Sequence, residues 1–274
     1  MSVGYDHIDI TSMKKYGVRL GNTPGILVET VAEIAVGLVI ATTRRFFEAN
    51  REVKTGGWQE WVPGWMCGRS IKGSVVGIIG CGSIGTSIAE KLINFKLSQL
   101  LYTSRSEKPA VKALGGQLVT VDELMERSDF VVVAAALNED TKFIVSRERI
   151  ATMKSNAILV NIGRGQLVDQ DALVEALREK RIRGAGLDVM TPEPLPLDHP
   201  LMGLDNFLLL PHIGTSTFEM EEEMAMMTTL EYIGCVGRMP YAERSGFLTT
   251  QLSSEIPSTR PNHCQSLKHF KITK

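Results

Sequence analysis

The sequence lacks the features that mark nucleic-acid-binding and membrane proteins. Its 30 basic and 31 acidic residues leave a formal net charge of -1, so it offers no basic field to nucleic acid or to a membrane surface. The longest apolar run, residues 31–41, is interrupted by Glu33 and is too short to span a bilayer. Residues 1–9 lack the charged-then-apolar order of a signal peptide. We therefore expect no nucleic-acid or membrane partner.

Cysteine and histidine are scarce, and neither is clustered. The five histidines show no HExxH spacing, so we expect no bound metal. No two cysteines have the spacing of a metal site or of a redox CxxC motif. Because free thiols are typical of a reducing compartment, we expect a soluble cytoplasmic protein. The cysteines are Cys67, Cys81, Cys235 and Cys264.

From residue 75 onward, short apolar runs alternate with helical patterns, as in a parallel sheet wrapped by helices. The run FVVVAAA at 130–136 is apolar throughout, which is typical of a strand covered on both faces. Helices are predicted over 83–95 and 171–180. Seven predicted strands indicate an α/β fold, a doubly wound parallel sheet of the Rossmann nucleotide-binding type. The predicted strands span 75–80, 100–104, 117–121, 130–136, 157–162, 184–189 and 206–210.

The segments on either side of this block have different patterns. A long helix is predicted over 30–49, ended by the Gly-Gly-Trp sequence at 56–58. It could join two domains or pack on a second subunit, or it could be a simple core helix. After about residue 246 the chain is rich in Ser, Thr, Pro and Gln and shows no periodicity. That composition predicts a disordered tail over 247–274.

A glycine-rich loop follows the first predicted strand and opens a helix. Gly80, Gly82 and Gly85 form a GxGxxG pattern, in the strand-to-helix context that makes this pattern informative. The glycines allow a tight turn and a close approach of the backbone to a pyrophosphate. Ser83 and Ile84 begin the helix, whose free N–H groups attract an anion. We expect this loop to bind a dinucleotide, and a Gly-rich turn without a ligand is the alternative.

The end of the second predicted strand bears on which dinucleotide is bound. NAD sites commonly carry an acidic residue here, which accepts hydrogen bonds from the ribose hydroxyls. This chain has Ser104, Arg105 and Ser106 instead. A guanidinium beside two hydroxyls attracts a 2′-phosphate, so we predict a preference for NADP(H), with NAD(H) also accepted. The alternative is that Arg105 is a solvated charge and that Glu107 faces the ribose.

Three polar segments fall where strands are predicted to end, at 161–165, 187–194 and 210–214. Their order and spacing resemble the D-isomer-specific 2-hydroxyacid dehydrogenase family, and within it the glyoxylate and hydroxypyruvate reductases. The resemblance runs from about residue 2 to residue 241. Further matching pieces are SVGYDHID at 2–9, TVAEIAVGLV at 30–39, GGW at 56–58 and PEPLP at 192–196.

The resemblance implies roles for four side chains. Arg164 would hold the substrate carboxylate, a task for which a planar guanidinium suits better than an ammonium. His212 would donate a proton to the substrate carbonyl oxygen as hydride arrives, since imidazole titrates near neutral pH. Glu193 would orient that imidazole. Asp188 would lie near the nicotinamide end of the cofactor.

The resemblance also implies further binding positions. Val3 and Gly4 match a substrate-facing turn. Cofactor contacts are expected from backbone positions after several strands, namely Ala136, Leu137, Ile162, Gly163 and Gly214. A segment that helps to build a homodimer in related enzymes includes Trp58, Trp61 and Trp65, although core packing of these side chains is equally compatible with the sequence.

The resemblance further predicts how the chain is divided. Residues 1–25 would be the remnant of a flavodoxin-like substrate domain, 26–212 the Rossmann domain with its leading helix, and 213–246 a helix that returns to the substrate domain. Because family members have more chain before SVGYDHID, we expect a truncated substrate domain here. The predicted function is NADPH-dependent reduction of glyoxylate or hydroxypyruvate. The alternatives are a dinucleotide-binding protein with impaired catalysis and a binding or regulatory role, and a fragment that does not fold stably by itself.

Overall fold

A sheet of seven parallel strands organises the computed structural model, which describes residues 4–6, 8–18 and 20–236. The strand order is β3-β2-β1-β4-β5-β6-β7. Successive strands are therefore added on one side of β1 up to β3 and on its other side from β4 onward. This confirms the predicted doubly wound Rossmann topology. The strands are β1 (Val75–Ile79), β2 (Gln99–Thr103), β3 (Gln117–Leu118), β4 (Phe130–Val133), β5 (Ile158–Asn161), β6 (Gly184–Leu187) and β7 (Phe207–Leu209).

Helices cover both faces of the sheet. One apolar core lies between the sheet and α2 and α4, and the other lies between the sheet and α6, α7 and α8. Alternate residues of β4 enter the two cores: Phe130 and Val132 the first, Val131 and Val133 the second. The described helices are α1 (Ile10–Lys15), α2 (Val28–Thr43), α3 (Phe46–Thr55), α4 (Ser83–Leu92), α5 (Pro109–Ala113), α6 (Val121–Arg127), α7 (Arg147–Thr152), α8 (Gln170–Arg178) and α9 (Phe218–Val236).

The prediction of one long helix over 30–49 is wrong, because the helix is broken at Arg45. Arg45 has a left-handed φ of 57° and separates α2 from α3. The cause is a contact with a distant segment: the Thr43 carbonyl accepts the Arg69 amide at 3.1 Å, and the Thr43 hydroxyl donates to the Arg69 carbonyl at 2.9 Å. The core-helix interpretation is confirmed for α2, which buries Ala35, Val39 and four other residues. No residue of α3 is buried.

The third predicted strand, 117–121, is shorter than expected. Pairing with β2 covers Gln117 and Leu118, and it ends there because Thr120 is the N-cap of α6. The Thr120 hydroxyl accepts the amide of Glu123 at 3.2 Å, a capping arrangement that competes with continued strand pairing. At the amino end, α1 buries no residue and Val18 is 55% exposed.

The chain divides into two units, Met1–Met227 and Thr228–Lys274. The sheet, both cores and the cavities considered below belong to the first unit. Within the second, the structure describes only the last residues of α9, so the predicted disordered tail at 247–274 lies outside the described residues. No helix in the described part of the chain is long and apolar enough to cross a membrane.

Candidate active site

A cavity of about 620 Å³ lies at the carboxyl ends of the strands, where open α/β sheets bind their ligands. A cavity of similar size, about 640 Å³, lies at the opposite end of β6 and β7 and holds none of the predicted site residues. Predicted residues that line the first cavity are Gly4, Ile84, Ala136, Leu137, Ile162, Gly163, Arg164, Asp188, His212 and Gly214. The fold therefore brings together positions from five strand ends and from the amino-terminal segment.

The glycine loop has the backbone geometry that a dinucleotide cradle requires. Gly80 has a φ of 92°, and a Cβ atom there would lie 2.5 Å from the Ala135 backbone. At Gly85 a Cβ atom would lie 2.3 Å from the Gly80 carbonyl oxygen, so this glycine allows α4 to pack closely on β1. At Gly82, the N-cap of α4, a Cβ atom would meet nothing within 4 Å.

Hydrogen bonds to the second strand hold this loop in place. The amides of Gly80 and Cys81 both donate to the Thr103 carbonyl, at 3.2 and 3.0 Å. Burial raises the pKa of the Cys81 thiol to about 12, so the side chain is a neutral apolar filler. The open space at Gly82 adjoins the first turn of α4, which begins with Ser83 and Ile84. The amides of these two residues have no acceptor within the helix. These features fit a pyrophosphate.

The three residues predicted to read the adenosine end of a dinucleotide directly follow β2. Ser104 is half-buried, whereas Arg105 and Ser106 are exposed. Among the described residues, Arg105 forms no ion pair. The Glu107 carboxylate lies 3.0 Å from the Lys112 ammonium, so it faces the solvent side of α5. That pair is more than half exposed at both ends and is therefore weak.

His212 and Glu193 form a hydrogen-bonded pair beside the cavity. The His212 Nδ1 atom lies 2.9 Å from Glu193 Oε2, and Glu193 Oε1 accepts the Met190 amide at 2.9 Å. Because a carboxylate can only accept, Nδ1 carries the proton in this contact and Nε2 is left for other partners. His212 lines the cavity and is 46% exposed at its side chain, while Glu193 lies behind it.

Arg164 is held at the end of β5 by contacts that sequence reasoning missed. The buried Asn161 side chain donates to the Arg164 carbonyl at 2.8 Å and accepts the Gly163 amide at 3.1 Å. The Arg164 Nη1 atom donates to the Gly163 carbonyl at 2.9 Å, and its Nε atom lies 3.1 Å from Asp6 Oδ1. In the sequence, the only sign that Asn161 holds this loop was its place at the end of a predicted strand, three residues before Arg164.

Asp188 is a buried carboxylate, 2% exposed, at the end of β6. Its two oxygens accept the amides of Ile213 and Gly214, both at 2.8 Å. Burial raises the pKa of Asp188, although these two amides and the nearby His212 oppose that shift. The aspartate therefore fixes the turn that carries His212.

Several predicted residues have other places in the structure. Val3 lies outside the described residues. Other cavity-lining side chains were not anticipated, among them Leu27, Val31 and Thr215.

The core-packing alternative for the three tryptophans is wrong in this chain, because they are exposed: Trp58 55%, Trp61 79% and Trp65 39%. No group of His, Cys, Asp and Glu that could hold a metal ion occurs among the described residues.

The parallel sheet, the glycine loop and the cavity at the carboxyl ends of the strands define a dinucleotide-binding domain. Residues 36–214 match the family model described as D-isomer specific 2-hydroxyacid dehydrogenase, NAD binding domain. The chain is 45% identical over 228 residues to the glyoxylate reductase/hydroxypyruvate reductase of Mus musculus, covering 83% of this chain and 70% of that protein. The chain belongs to the D-isomer specific 2-hydroxyacid dehydrogenase family, and its cofactor is a nicotinamide dinucleotide.

Solved structures of related proteins share the fold. An acyclic imino acid reductase in complex with NADPH and D-Arg superposes with a TM-score of 0.78 at 28% identity, covering 88% of this chain and 75% of that one. The D-lactate dehydrogenase of Aquifex aeolicus, complexed with NAD and lactic acid, gives a TM-score of 0.79 at 27% identity, covering 86% and 74%. The first of these complexes contains NADPH and the second contains NAD.

Proposed function

We propose that the chain reduces glyoxylate or hydroxypyruvate to the 2-hydroxy acid with NADPH. The observation that carries this proposal is the 2.9 Å contact between His212 Nδ1 and Glu193, on the wall of a cavity that Arg164 also lines. An acid–base pair and a guanidinium on one cavity match the two ends of a small 2-oxo acid. The likeness to the mouse glyoxylate reductase/hydroxypyruvate reductase supports the choice of substrates.

Arg164 binds the substrate carboxylate in this proposal. Its Nε and Nη1 atoms are engaged by Asp6 and Gly163, and its Nη2 atom lies against Gly4. A Cβ atom at residue 4 would lie 2.0 Å from Nη2, so a side chain there would force the guanidinium to move from this position. Gly4 and the neighbouring Val3 are the backbone positions that we assign to the same carboxylate.

His212 exchanges a proton with the substrate carbonyl oxygen. Because Nδ1 donates to Glu193, the exchanged proton resides on Nε2. Glu193 keeps the ring oriented through this hydrogen bond. When bound, the reduced nicotinamide supplies the hydride, and we place it beside Asp188 and Gly214. The protein contributes orientation and charge at the two ends of the substrate.

The glycine loop holds the pyrophosphate in this proposal. We assign the contacts to the backbone at Gly80, Gly82, Ser83, Ile84 and Gly85. Further cofactor contacts are assigned to Ala136, Leu137, Ile162 and Gly163, which line the same cavity.

Arg105 selects NADPH in this proposal. Its guanidinium has no carboxylate partner among the described residues, and Ser104 and Ser106 flank it. Substitution Arg105→Asp is expected to reverse the preference toward NADH, because a carboxylate repels the 2′-phosphate and accepts from a ribose hydroxyl. The measurement is kcat/KM with each dinucleotide. Control substitution Arg127→Gln, remote from this end of β2, should leave the ratio unchanged. An unchanged ratio in Arg105→Asp would assign phosphate recognition to another group.

We also propose a domain division, a homodimer and a cytoplasmic location for the protein. Residues 26–212 act as the dinucleotide-binding domain, and residues 1–25 and 213–246 belong to the substrate domain. Exposed aromatic side chains at Phe46, Phe47, Trp58 and Trp61 support a homodimer built through this segment. Cys67 and Cys81 are free thiols, which fits a reducing cytoplasm.

The test uses the purified full chain and follows NADPH oxidation with hydroxypyruvate and with glyoxylate. Turnover supports the proposal. Tight dinucleotide binding without turnover would instead support the alternative of a binding or regulatory protein. The substitution Arg164→Lys is expected to lower kcat/KM by at least about a hundredfold while cofactor affinity stays the same, because Lys lacks the fork that holds a carboxylate. Equal activity in that variant would remove Arg164 from its role.

A further inference from the structure

We propose that Asp6 is a positioning residue for Arg164, a role that rests on the proposed function. The two Asp6 carboxylate oxygens lie 3.1 and 3.3 Å from the Arg164 Nε atom. The partners are 158 residues apart in the chain. Their side chains are 30% and 27% exposed, so the contact is partly shielded from water. It links the amino-terminal segment to the loop after β5.

The geometry fixes the plane of the guanidinium. Asp6 engages Nε, while the Gly163 carbonyl accepts from Nη1 at 2.9 Å. Two nitrogens held from different directions prevent the planar group from turning about its long side chain. The third nitrogen, Nη2, is then directed along the Gly4 backbone at the cavity wall. Asp6 thereby determines which edge of Arg164 meets an incoming carboxylate.

A purely electrostatic role of Asp6 and a positioning role predict opposite changes in anion binding when Asp6 is replaced. A carboxylate beside Arg164 reduces the positive potential that an anionic 2-oxo acid meets. If Asp6 acted only through its charge, removing that charge would tighten anion binding. If Asp6 holds the guanidinium in place, removing it would weaken anion binding, because an unrestrained fork must be ordered when the ligand arrives. The sign of the change therefore separates the two roles.

The experiment measures binding of oxamate, an unreactive analogue of 2-oxo acids, to the full chain saturated with NADPH. The substitution Asp6→Asn is expected to raise the oxamate Kd about tenfold and to leave the NADPH Kd unchanged. Asp6→Glu, which keeps the carboxylate, should recover part of that loss. The matched control is Asp9→Asn: Asp9 is exposed in the same segment and caps α1 through Ser12. Asp9→Asn should leave the oxamate Kd unchanged.

A double-variant cycle tests whether Asp6 acts through Arg164. In an Arg164→Lys background, Asp6→Asn should cause no further loss of oxamate affinity. A tighter or unchanged Kd in Asp6→Asn overturns the positioning role, as does an equal loss in Asp9→Asn or a full additional loss in the Arg164→Lys background. If the unaltered chain binds NADPH but not oxamate, the proposed function itself fails, and the role of Asp6 fails with it.

Discussion

Two glycines of the phosphate loop should respond differently to the same added methyl group. In Gly85→Ala the new Cβ atom would lie 2.3 Å from the Gly80 carbonyl oxygen, whereas ordinary contact begins near 3.4 Å. The start of α4 must therefore retreat from β1 by about 1 Å. Overpacking of this kind lowers the free energy of unfolding by roughly 1–3 kcal/mol. Because we assign the pyrophosphate contacts to the amides at the start of α4, we expect the dinucleotide Kd to rise at least about tenfold as well.

Gly82→Ala should affect binding alone. A Cβ atom at residue 82 meets no atom within 4 Å, and φ is -78°, a value that alanine adopts freely. The free energy of unfolding should therefore change by less than about 0.5 kcal/mol. The methyl group would occupy the open space that we assign to the pyrophosphate, so the dinucleotide Kd should rise at least about tenfold.

Urea unfolding followed by circular dichroism measures the stability of each variant, and titration calorimetry measures its dinucleotide Kd. The expected result is a loss of both quantities in Gly85→Ala and of affinity alone in Gly82→Ala. Wild-type affinity in Gly82→Ala would refute the placement of the phosphates over this residue. Wild-type stability in Gly85→Ala would show that α4 and β1 do not depend on this close approach.

Two further predictions concern stability away from the cavity. Burial opposes ionisation of Asp129, but the Val75 amide, Lys154 and Arg69 outweigh it and hold its pKa below the ordinary value of an aspartate. The ionised carboxylate therefore stabilises the fold fully above the pKa of the unfolded chain, and this effect is lost as the pH falls through the folded pKa. Asp129→Asn should lower the free energy of unfolding at neutral pH by roughly 2–3 kcal/mol and weaken its acid dependence, both measured by urea unfolding. Gly37→Ala, in the exposed face of α2, should raise the free energy of unfolding by roughly 1 kcal/mol, and a loss would reveal a neighbour against that face.

The buried strands were predictable because burial on both faces leaves a continuous apolar run in the sequence. β4 is an example, with all four residues fully buried. The predicted strand nevertheless ran on to residue 136, whereas pairing ends at Val133. Residues 134–136 are apolar for a different reason, since they line the cavity. Hydropathy alone does not distinguish a strand residue from the wall of a binding site.

Contacts between distant segments account for what the sequence did not predict. The helix break at Arg45 depends on Thr43 and Arg69, which are 26 residues apart, and nothing local in the helix-forming sequence signals it. The Asp6–Arg164 contact joins residues even farther apart. Sequence order identified Arg164 through its motif, but the group that orients it became visible only in three dimensions.

The turn at His212 shows why two acids close together in the sequence have separate tasks. His212 adopts a left-handed φ of 56°, which costs roughly 1–2 kcal/mol for a residue with a Cβ atom. This conformation directs the amides of Ile213 and Gly214 to Asp188, and it leaves the imidazole facing Glu193. Three hydrogen bonds, two of them to a buried carboxylate, offset the strain. Asp188 therefore fixes the backbone of the turn and Glu193 fixes the ring through Nδ1, which leaves Nε2 at the cavity.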